Sequence, residues 1–500
     1  MEKAAAASAR LRTTLLMNLA SVVEKADEQV LPAVYYFIGR SLNATPAQLG
    51  TLTLCRAMVQ AATSPISGVL GDKYDRTHIV AFGCFLWGVM TAVIGFSTSL
   101  HQAMVSCAIN GLGLALVIPC VQSLVADYHP SESRGKAFGF MFFTASCGGM
   151  IGGFFATNIG STMPFGMDGW RFAFHLMALV SLVTSGLVFY IATDPRPTAK
   201  NFISPMILSA PTLPLSSTPD GLQLPAYQSP QKRASMNSSI GWGTRLKEAW
   251  REISAVLHIR TFQIIILQGI VGSTPWNAMV FFTLWLQLLG FTDYSASVLM
   301  ALFAGGCAIG SALGGYLGDV LARRWPNCGR IITAQLSVLL SLPLSCLLLK
   351  GLPTRDVGHR TAMRNLYALV MFLFGLCISW CGSNNSAMFA DIVPEQLRST
   401  VYAFDRSFEG AVAACAAPLV GLVAERCFGF KGSVSTSEVD IERDHANARA
   451  LGNSLLVCLL VPWSLCLLSY TGLYITYPHD KRNAKKVGLS ETLLEGALLK

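Results

Sequence analysis

The sequence Gly68-Val-Leu-Gly-Asp72 decides the fold, because it returns as Gly315-Tyr-Leu-Gly-Asp319 in the second half of the chain. An arginine follows each copy four residues later, Arg76 after the first and Arg323 after the second. A motif that recurs at a long interval is typical of a chain built from a repeated structural unit. Because one short match can arise by chance, a second match in the same order is needed.

A second pair of matching motifs follows the first in the same order. Both consist of Ala-Asp, a proline three residues after the aspartate, and an arginine four residues after the proline. Two matches in register indicate a duplicated unit. The members are Ala126, Asp127, Pro130 and Arg134 in the first half, and Ala390, Asp391, Pro394 and Arg398 in the second.

The composition shows that the duplicated unit is a membrane unit. Hydrophobic residues make up 52% of the chain and charged residues 13%, whereas soluble domains carry roughly 25% charged residues. Stretches of roughly 17–25 apolar residues are long enough to span a bilayer, and six precede and six follow a polar segment. The predicted spans are 12–37, 47–70, 79–99, 102–125, 137–160 and 171–192, then 262–289, 294–318, 329–350, 364–388, 401–424 and 452–476.

These spans predict an all-α polytopic membrane protein with two pseudo-symmetric six-helix bundles, residues 1–192 and 259–477. Between them, residues 193–258 begin with a stretch rich in Pro, Ser and Thr that is typical of a disordered linker. The linker ends in an amphipathic pattern over 242–257, which predicts a helix at the membrane interface. Residues 478–500 form a polar tail.

The distribution of Lys and Arg predicts that both termini are cytosolic, since the loops on that side carry most of the positive charge. Two loops that would then lie outside, 351–364 and 425–451, also carry basic residues and weaken this bias. The sequence predicts an integral, multi-pass membrane protein but leaves plasma membrane and endomembrane open.

The segment from Gly68 to Arg76 resembles the signature of the major facilitator superfamily, whose members have twelve spans in two parallel six-span repeats. The resemblance implies a gating motif at the cytosolic ends of spans two and eight. In the second copy, Val320 stands where a basic residue is usual. The implied gating residues are Gly68, Asp72, Lys73 and Arg76, with Gly315, Asp319 and Arg323.

Other stretches resemble the spinster-like branch of that superfamily, and most of all its plant and algal members. They are Glu24–Glu28 with Leu31-Pro32, Asn110–Pro119 and Val401–Glu409. The resemblance implies a lipid-like amphiphile as one candidate substrate. The chain departs from this branch in its fourth span, where Cys107 replaces a usual arginine and Leu114 a usual acid. Both family residues are linked to proton coupling.

Charged residues in the first and second spans are candidates for proton coupling, because a charge within a membrane is expensive and is usually functional. Glu24, Asp27 and Glu28 share one helical face. Arg56 lies at a similar predicted depth, so we expect it to pair with Glu28 or Asp27. Glu24 is then the preferred titrating acid, and Lys25 points elsewhere. In the alternative, the charges neutralise one another permanently and fix the helix register.

Polar and aromatic residues in the middle of spans four, seven and ten are candidates for a substrate cavity. A proline at 275 is expected to kink the seventh span beside them. In the alternative, each side chain holds two helices together by hydrogen bonds. The candidates are Asn110, Trp276, Asn277, Trp380, Ser383, Asn384 and Asn385.

Charged residues at the cytosolic ends of the spans are candidates for a gate rather than for direct substrate contact. They belong to the second pair of repeated motifs or to the start of the eleventh span. The candidates are Asp127, Arg134, Asp391, Arg398, Asp405, Arg406 and Glu409.

These features together predict a secondary transporter that works by alternating access and moves an organic solute or a lipid-like amphiphile, with coupling to protons left open. The net charge of +9 comes without a nucleic-acid motif, and the 14 cysteines show no metal-binding spacing. We therefore expect no enzyme activity, cofactor or nucleic-acid partner, and a monomer in contact with membrane lipid. Two alternatives remain: a non-transporting receptor or scaffold of the same fold, and a carrier of small organic anions.

Overall fold

A computed structural model describes residues 2–128, 131–194, 260–353, 361–392, 409–431 and 441–498. Within these ranges, side chains are described except near the N-terminus, at the end of the second span, around 126–139, at 389–390 and beyond 482. The predicted linker and its interfacial helix over 242–257 lie outside the described residues, so the predicted domain limits stay predictions.

The first half contains six membrane crossings, and they coincide with the six predicted spans. Its first crossing is broken at Val34, two residues after Pro32, since proline leaves the helix without one backbone donor. The helices are α1 (Glu2–Ala33), α2 (Tyr35–Leu42), α3 (Pro46–Lys73), α4 (Arg76–Phe96), α5 (Leu100–Tyr128), α6 (Ser131–Gly160) and α7 (Gly169–Ile191).

The second half repeats this arrangement with more interruptions. The helix that contains Pro275 ends at Ala278 and is followed by a 3₁₀ turn over Met279–Phe281, and Leu347–Gly351 forms a π-helical turn. A helical stretch over 409–414 leads into the eleventh crossing. The helices are α8 (Arg260–Ala278), α9 (Phe282–Leu288), α10 (Asp293–Arg324), α11 (Gly329–Cys346), α12 (Thr361–Ile378), α13 (Trp380–Ile392), α14 (Ala416–Cys427) and α15 (Ile441–Leu498).

The described part of the chain has 10 helices that are long and apolar enough to cross a membrane. Helices α1 and α3 are also long, 32 and 28 residues, but are more polar. With them, each half has six crossings. The predicted all-α, multi-pass fold is confirmed.

The two halves are packed alike, as expected of a duplicated unit. In the first half α3 packs on α5 and α4 on α7, and in the second half the equivalent helices α10 and α12, and α11 and α15, are in contact. Both Gly-Asp motifs lie near the ends of equivalent helices, α3 and α10. They therefore lie on the same face of the membrane domain.

The described contacts between the halves gather on the opposite face, which carries the connection 43–45. We call this the loop-1 face, and the face with the connection 74–75 the loop-2 face. Asn158 Nδ2 donates to Ser297 Oγ over 2.9 Å, and the Ala47 N–H donates to Glu425 Oε1 over 3.0 Å. These contacts hold the two halves together at the loop-1 face.

Candidate functional site

The acidic cluster of α1 is buried inside the first half. Glu24 is 6% exposed, Asp27 3% and the facing Arg56 of α3 8%. Glycines bring the surrounding backbones close: a Cβ at Gly111 of α5 would lie 2.2 Å from the Arg56 carbonyl oxygen, and one at Gly152 of α6 would lie 2.7 Å from Ala26. Small residues at helix contacts thus enclose this cluster.

Asp27 is held by neutral groups. Thr91 Oγ1 of α4 donates to Asp27 Oδ1 over 2.9 Å, and Asn110 Nδ2 of α5 donates to Thr91 Oγ1 over 3.0 Å. Among the described residues, no basic group lies within 4.0 Å of the Asp27 carboxylate. A buried carboxylate is unfavourable in its ionised form unless it is paired or hydrogen-bonded, and here Thr91 supplies a hydrogen bond.

The basic residues of the cluster make different contacts from those predicted. Arg56 Nη2 donates to the main-chain carbonyl of Glu28 over 3.3 Å, so it reaches Glu28 but does not pair with its carboxylate or with Asp27. Lys25, which we expected to point elsewhere, binds the Glu28 carboxylate and lies 3.5 Å from Glu24 Oε1. Its long, flexible side chain reaches both acids of its own helix. Glu28 is thus paired, though with Lys25 instead of Arg56, and the preference for Glu24 as the titrating acid stays a prediction.

A cavity of about 180 Å³ lies inside the second half, between α8, α13 and α15. Two of the predicted cavity residues line it, Trp276 and Asn385. Glu409, which we predicted at a gate, lines the same cavity. Trp463 and Cys466 of α15 also line it, and sequence reasoning missed both because they lie in a long, mainly apolar span without a charged residue.

Hydrogen bonds between side chains form the polar wall of this cavity. Asn385 Nδ2 donates to Gln268 Oε1 over 2.8 Å, and the Tyr470 hydroxyl donates to Asn385 Oδ1 over 2.8 Å. Gln268 Nε2 also contacts Cys466 Sγ at 3.4 Å. Protein partners thus hold both amide side chains, so their orientation is set before a ligand binds.

The remaining predicted cavity residues are not among the residues that line this cavity. Asn384 is fully buried and its Nδ2 donates to the Gly314 carbonyl of α10 over 3.0 Å. Trp380 packs against the same glycine, where a Cβ would lie 2.4 Å from the Trp380 Cβ. Ser383 and Asn277 bond to carbonyls of their own helices, and Asn110 belongs to the Asp27 cluster. For Asn384 and Trp380, the geometry matches the helix-packing alternative.

Charged residues on the loop-2 face form two contacts in the second half. Asp319 of the repeated motif accepts from Arg330 Nη2 over 2.8 Å, while Arg323 is exposed. Asp391 binds Lys481 Nζ at 2.7 Å and the Tyr477 hydroxyl at 2.6 Å, both from α15. The sequence did not indicate these partners, since they lie in the last helix, far from Asp391 along the chain.

Burial alone would raise the pKa of Asp391, but the hydrogen bonds from Lys481 and Tyr477 and the charge of Lys481 outweigh it, and the pKa lies below its ordinary value of 3.8. A lowered pKa stabilises the folded state above the ordinary value, and this contribution is lost as the pH falls through the lowered value. We expect Lys481→Met to lower thermal stability at pH 7 by roughly the 0.2–1 kcal/mol of a partly exposed pair.

Thermal unfolding in detergent at pH 7 and pH 3 checks this prediction. The difference between Lys481→Met and wild type should shrink at the lower pH, while Arg449→Met, at an exposed position of the same helix, should change stability at neither pH. A difference that is independent of pH would contradict it.

Several predicted gating residues have limited or no description. Helical backbone is described for Gly68, Asp72, Lys73 and Arg134, and for Asp127, without their side chains. Arg398, Asp405 and Arg406 lie outside the described residues. The Arg76 main-chain N–H donates to Asp194 Oδ2 over 3.1 Å, and Gly315 lies beside Ser383.

Two equivalent six-helix halves, closed at one face and holding buried polar groups, define a membrane transport protein. The family model described as Major Facilitator Superfamily matches residues 17–418, and the chain belongs to that superfamily. Its members are transporters, so this protein is not an enzyme.

Solved structures of transporters share the fold. A bacterial homolog of the human lysosomal transporter Spinster, in an inward-facing and unoccupied conformation, superposes with a TM-score of 0.73 and 18% identity over 94% of this chain and 98% of that one. A D-xylose-proton symporter gives a TM-score of 0.59 and 15% identity over 91% and 97%. The predicted membership of the major facilitator superfamily is confirmed, whereas the spinster-like branch and the plant or algal affinity stay predictions.

Curated relatives match a shorter part of the chain. Quinolone resistance protein NorA of Staphylococcus aureus (strain Mu50 / ATCC 700699) is 30% identical over 143 residues, 28% of this chain and 37% of NorA. Multidrug resistance protein 1 of Bacillus subtilis (strain 168) is 28% identical over 151 residues, 29% and 38% of the two chains. The chain thus spans well under half the length of these relatives.

Proposed function

We propose that the protein is a proton-coupled secondary transporter that moves a lipid-like amphiphile by alternating access. The two halves rock against each other, so that the loop-1 face and the loop-2 face open in turn and the polar groups inside face each side of the membrane alternately. The observation that carries the choice of substrate is an apolar groove at the side of the protein.

The groove has a volume of about 470 Å³ and lies between α6 and α10, one helix from each half. Six of its seven lining residues are apolar, and Ile151 is 69% exposed. An open apolar groove on a membrane protein suits an acyl chain, because the chain can remain in contact with lipid while its head group enters the protein. The lining residues are Met150, Ile151, Phe154, Phe155, Asn158, Ile159 and Ala301.

The cavity of the second half argues against a carrier of small organic anions. Its described lining includes Glu409 and no Lys, Arg or His. Anion recognition in a buried site normally uses a basic side chain or helix N-terminal amides.

Proton coupling is proposed at Asp27. This carboxylate is buried, belongs to the first crossing and accepts a hydrogen bond from Thr91 of the third crossing. A carboxylate only accepts hydrogen bonds, whereas a protonated carboxyl group also donates one. Proton binding can therefore change the hydrogen bonds between these two helices and how they pack. Arg56 supplies a nearby buried positive charge, although Cys107 stands where the family usually has arginine.

Uptake by purified protein in proteoliposomes tests the proposal. A labelled short-chain lysophospholipid and a labelled dicarboxylate are offered separately, with and without an imposed pH gradient. We expect gradient-dependent movement of the lysophospholipid alone, with protein-free liposomes as the control. Uptake of the dicarboxylate alone would support the anion carrier, and binding without movement under any gradient would support a receptor or scaffold.

A further inference from the structure

The hydroxyl group of Thr91, in α4, bonds to another helix. A threonine within a helix commonly donates to the carbonyl four residues earlier, as Thr51 and Thr63 do in α3. For Thr91 that acceptor would be the Trp87 carbonyl. The Thr91 hydroxyl donates instead to Asp27 Oδ1 of α1 over 2.9 Å. The local acceptor of Thr91 is therefore left to another donor.

Asn110 of α5 is that donor. Its Nδ2 donates to the Trp87 carbonyl oxygen over 3.4 Å and to Thr91 Oγ1 over 3.0 Å. A carbonyl can only accept, so the amide must present its nitrogen at this place. Because the nitrogen also donates to Thr91 Oγ1, the proton of the Thr91 hydroxyl is left for Asp27. The hydrogen bonds thus run in one direction, from Asn110 through Thr91 to the carboxylate.

Close packing of α4 on α5 lets the short Asn110 side chain reach both acceptors. A Cβ at Gly113 would lie 2.7 Å from the Trp87 nitrogen, and one at Gly83 would lie 2.9 Å from the Gly113 carbonyl oxygen. Asn110 is 1% exposed and Thr91 is fully buried. Hydrogen bonds are stronger in such an interior than in water. Backbone contacts therefore fix the position of this donor.

Other groups near Asp27 set the background for proton binding. Their charges and thiols come from its own helix and from two neighbouring helices: Glu24, Lys25 and Glu28 of α1, Arg56 of α3 and Cys107 of α5. Thr91 adds a hydrogen bond that stabilises the ionised carboxylate, and a hydrogen bond to the charged form of an acid favours loss of its proton. The direction of the Thr91 hydroxyl thus bears directly on proton binding at Asp27.

We propose that Asn110 is a positioning residue for the proton site, which directs the Thr91 hydroxyl at Asp27 and so lowers the proton affinity of that carboxylate. The inference rests on the proposed function in that Asp27 is taken as the group that binds the proton. Without Asn110, Thr91 can return to the Trp87 carbonyl, and Asp27 loses its donor. A residue that only held α4 to α5 would affect stability and leave Asp27 unchanged.

Infrared difference spectroscopy of the full-length protein in nanodiscs measures the protonation of Asp27 without a substrate. The carbonyl stretch of protonated carboxyl groups is titrated with pH, and the part that Asp27→Asn removes is assigned to Asp27. We expect Asn110→Leu to move the midpoint of this band about one unit towards higher pH, about tenfold in proton affinity, because the ionised form loses its donor. Thr91→Val removes the donor itself and should move the midpoint equally.

A double variant shows whether Asn110 acts through Thr91. Adding Asn110→Leu to Thr91→Val should change the proton affinity by less than about twofold, since the two residues form one chain of hydrogen bonds.

Asn384→Leu is the matched control. Asn384 is fully buried, and its Nδ2 also donates to a carbonyl of a neighbouring helix. Its Oδ1, like that of Asn110, has no hydrogen-bond partner among the residues that the structure describes. The control should lower thermal stability and leave the midpoint of the Asp27 band unchanged.

An unmoved Asp27 band in folded Asn110→Leu would overturn the inference, and so would a full second shift in the Thr91→Val background. If leucine prevents folding, Asn110→Ala gives the same comparison with a smaller side chain. In both cases the proposed function stands, because Asp27 still titrates. If no part of the band disappears in Asp27→Asn at any pH, both the inference and Asp27 as the coupling site are wrong, and uptake of lysophospholipid by proteoliposomes then decides separately whether the protein is a transporter.

Discussion

Asp27→Asn should abolish proton-driven accumulation of the substrate while leaving passive exchange intact. One pH unit across the membrane corresponds to about 1.36 kcal/mol per proton, so a gradient of two units coupled to one proton supports about 100-fold accumulation. The variant cannot carry the proton and should equilibrate at about onefold. Asparagine has nearly the same shape, and it can still accept the hydrogen bond that Thr91 donates to Asp27.

The measurement is the steady-state concentration ratio of labelled substrate in proteoliposomes at an imposed gradient. Glu28→Gln is the matched control, because the Glu28 carboxylate is 39% exposed and is already bound by Lys25; it should accumulate substrate like wild type. Normal accumulation by Asp27→Asn would exclude Asp27 as the proton carrier. If Glu24→Gln abolishes accumulation instead, the prediction that Glu24 titrates is confirmed.

The sequence predicted the order and depth of the helices well, because apolar length and repeated motifs report on them directly. It placed Glu28 and Arg56 at a similar depth, and the structure brings Arg56 to the Glu28 carbonyl. Depth does not determine the direction in which a side chain points. The choice between a carboxylate and a carbonyl acceptor depends on helix rotation and on the rotamers of long side chains, which sequence periodicity leaves open.

The polar residues of the tenth crossing show a second limit of sequence reasoning. Asn384 and Asn385 are neighbours, yet the first packs on α10 and the second lines the cavity. One signal could have separated them. Gly310, Gly314 and Gly318 form a stripe along α10, which indicates a helix that packs closely against a partner. Residues that face the stripe, such as Asn384, then belong to the contact.

Gly421→Ala should prevent the loop-1 face from closing. A Cβ at Gly421 of α14 would lie 2.1 Å from the Ala47 nitrogen and 2.4 Å from its Cα, and backbone atoms cannot move aside as a side chain can. Relief requires α3 and α14 to separate, which also breaks the hydrogen bond from Ala47 N–H to Glu425. Overpacking of about 1–3 kcal/mol corresponds to a shift of roughly 5–150-fold between two conformations.

Hydrogen exchange in the first turn of α3 measures this shift, because the Ala47 N–H has its acceptor in the other half of the protein. That helix starts with Pro46, which has no N–H, and the Gln48 N–H is capped within its own half by Thr45. Exchange at Ala47 should therefore rise in Gly421→Ala, and transport should fall about tenfold or more. Gly305→Ala, whose added Cβ meets no atom within 4 Å, is the control. If the two variants exchange and transport alike, the contact between α3 and α14 does not control closure of the loop-1 face.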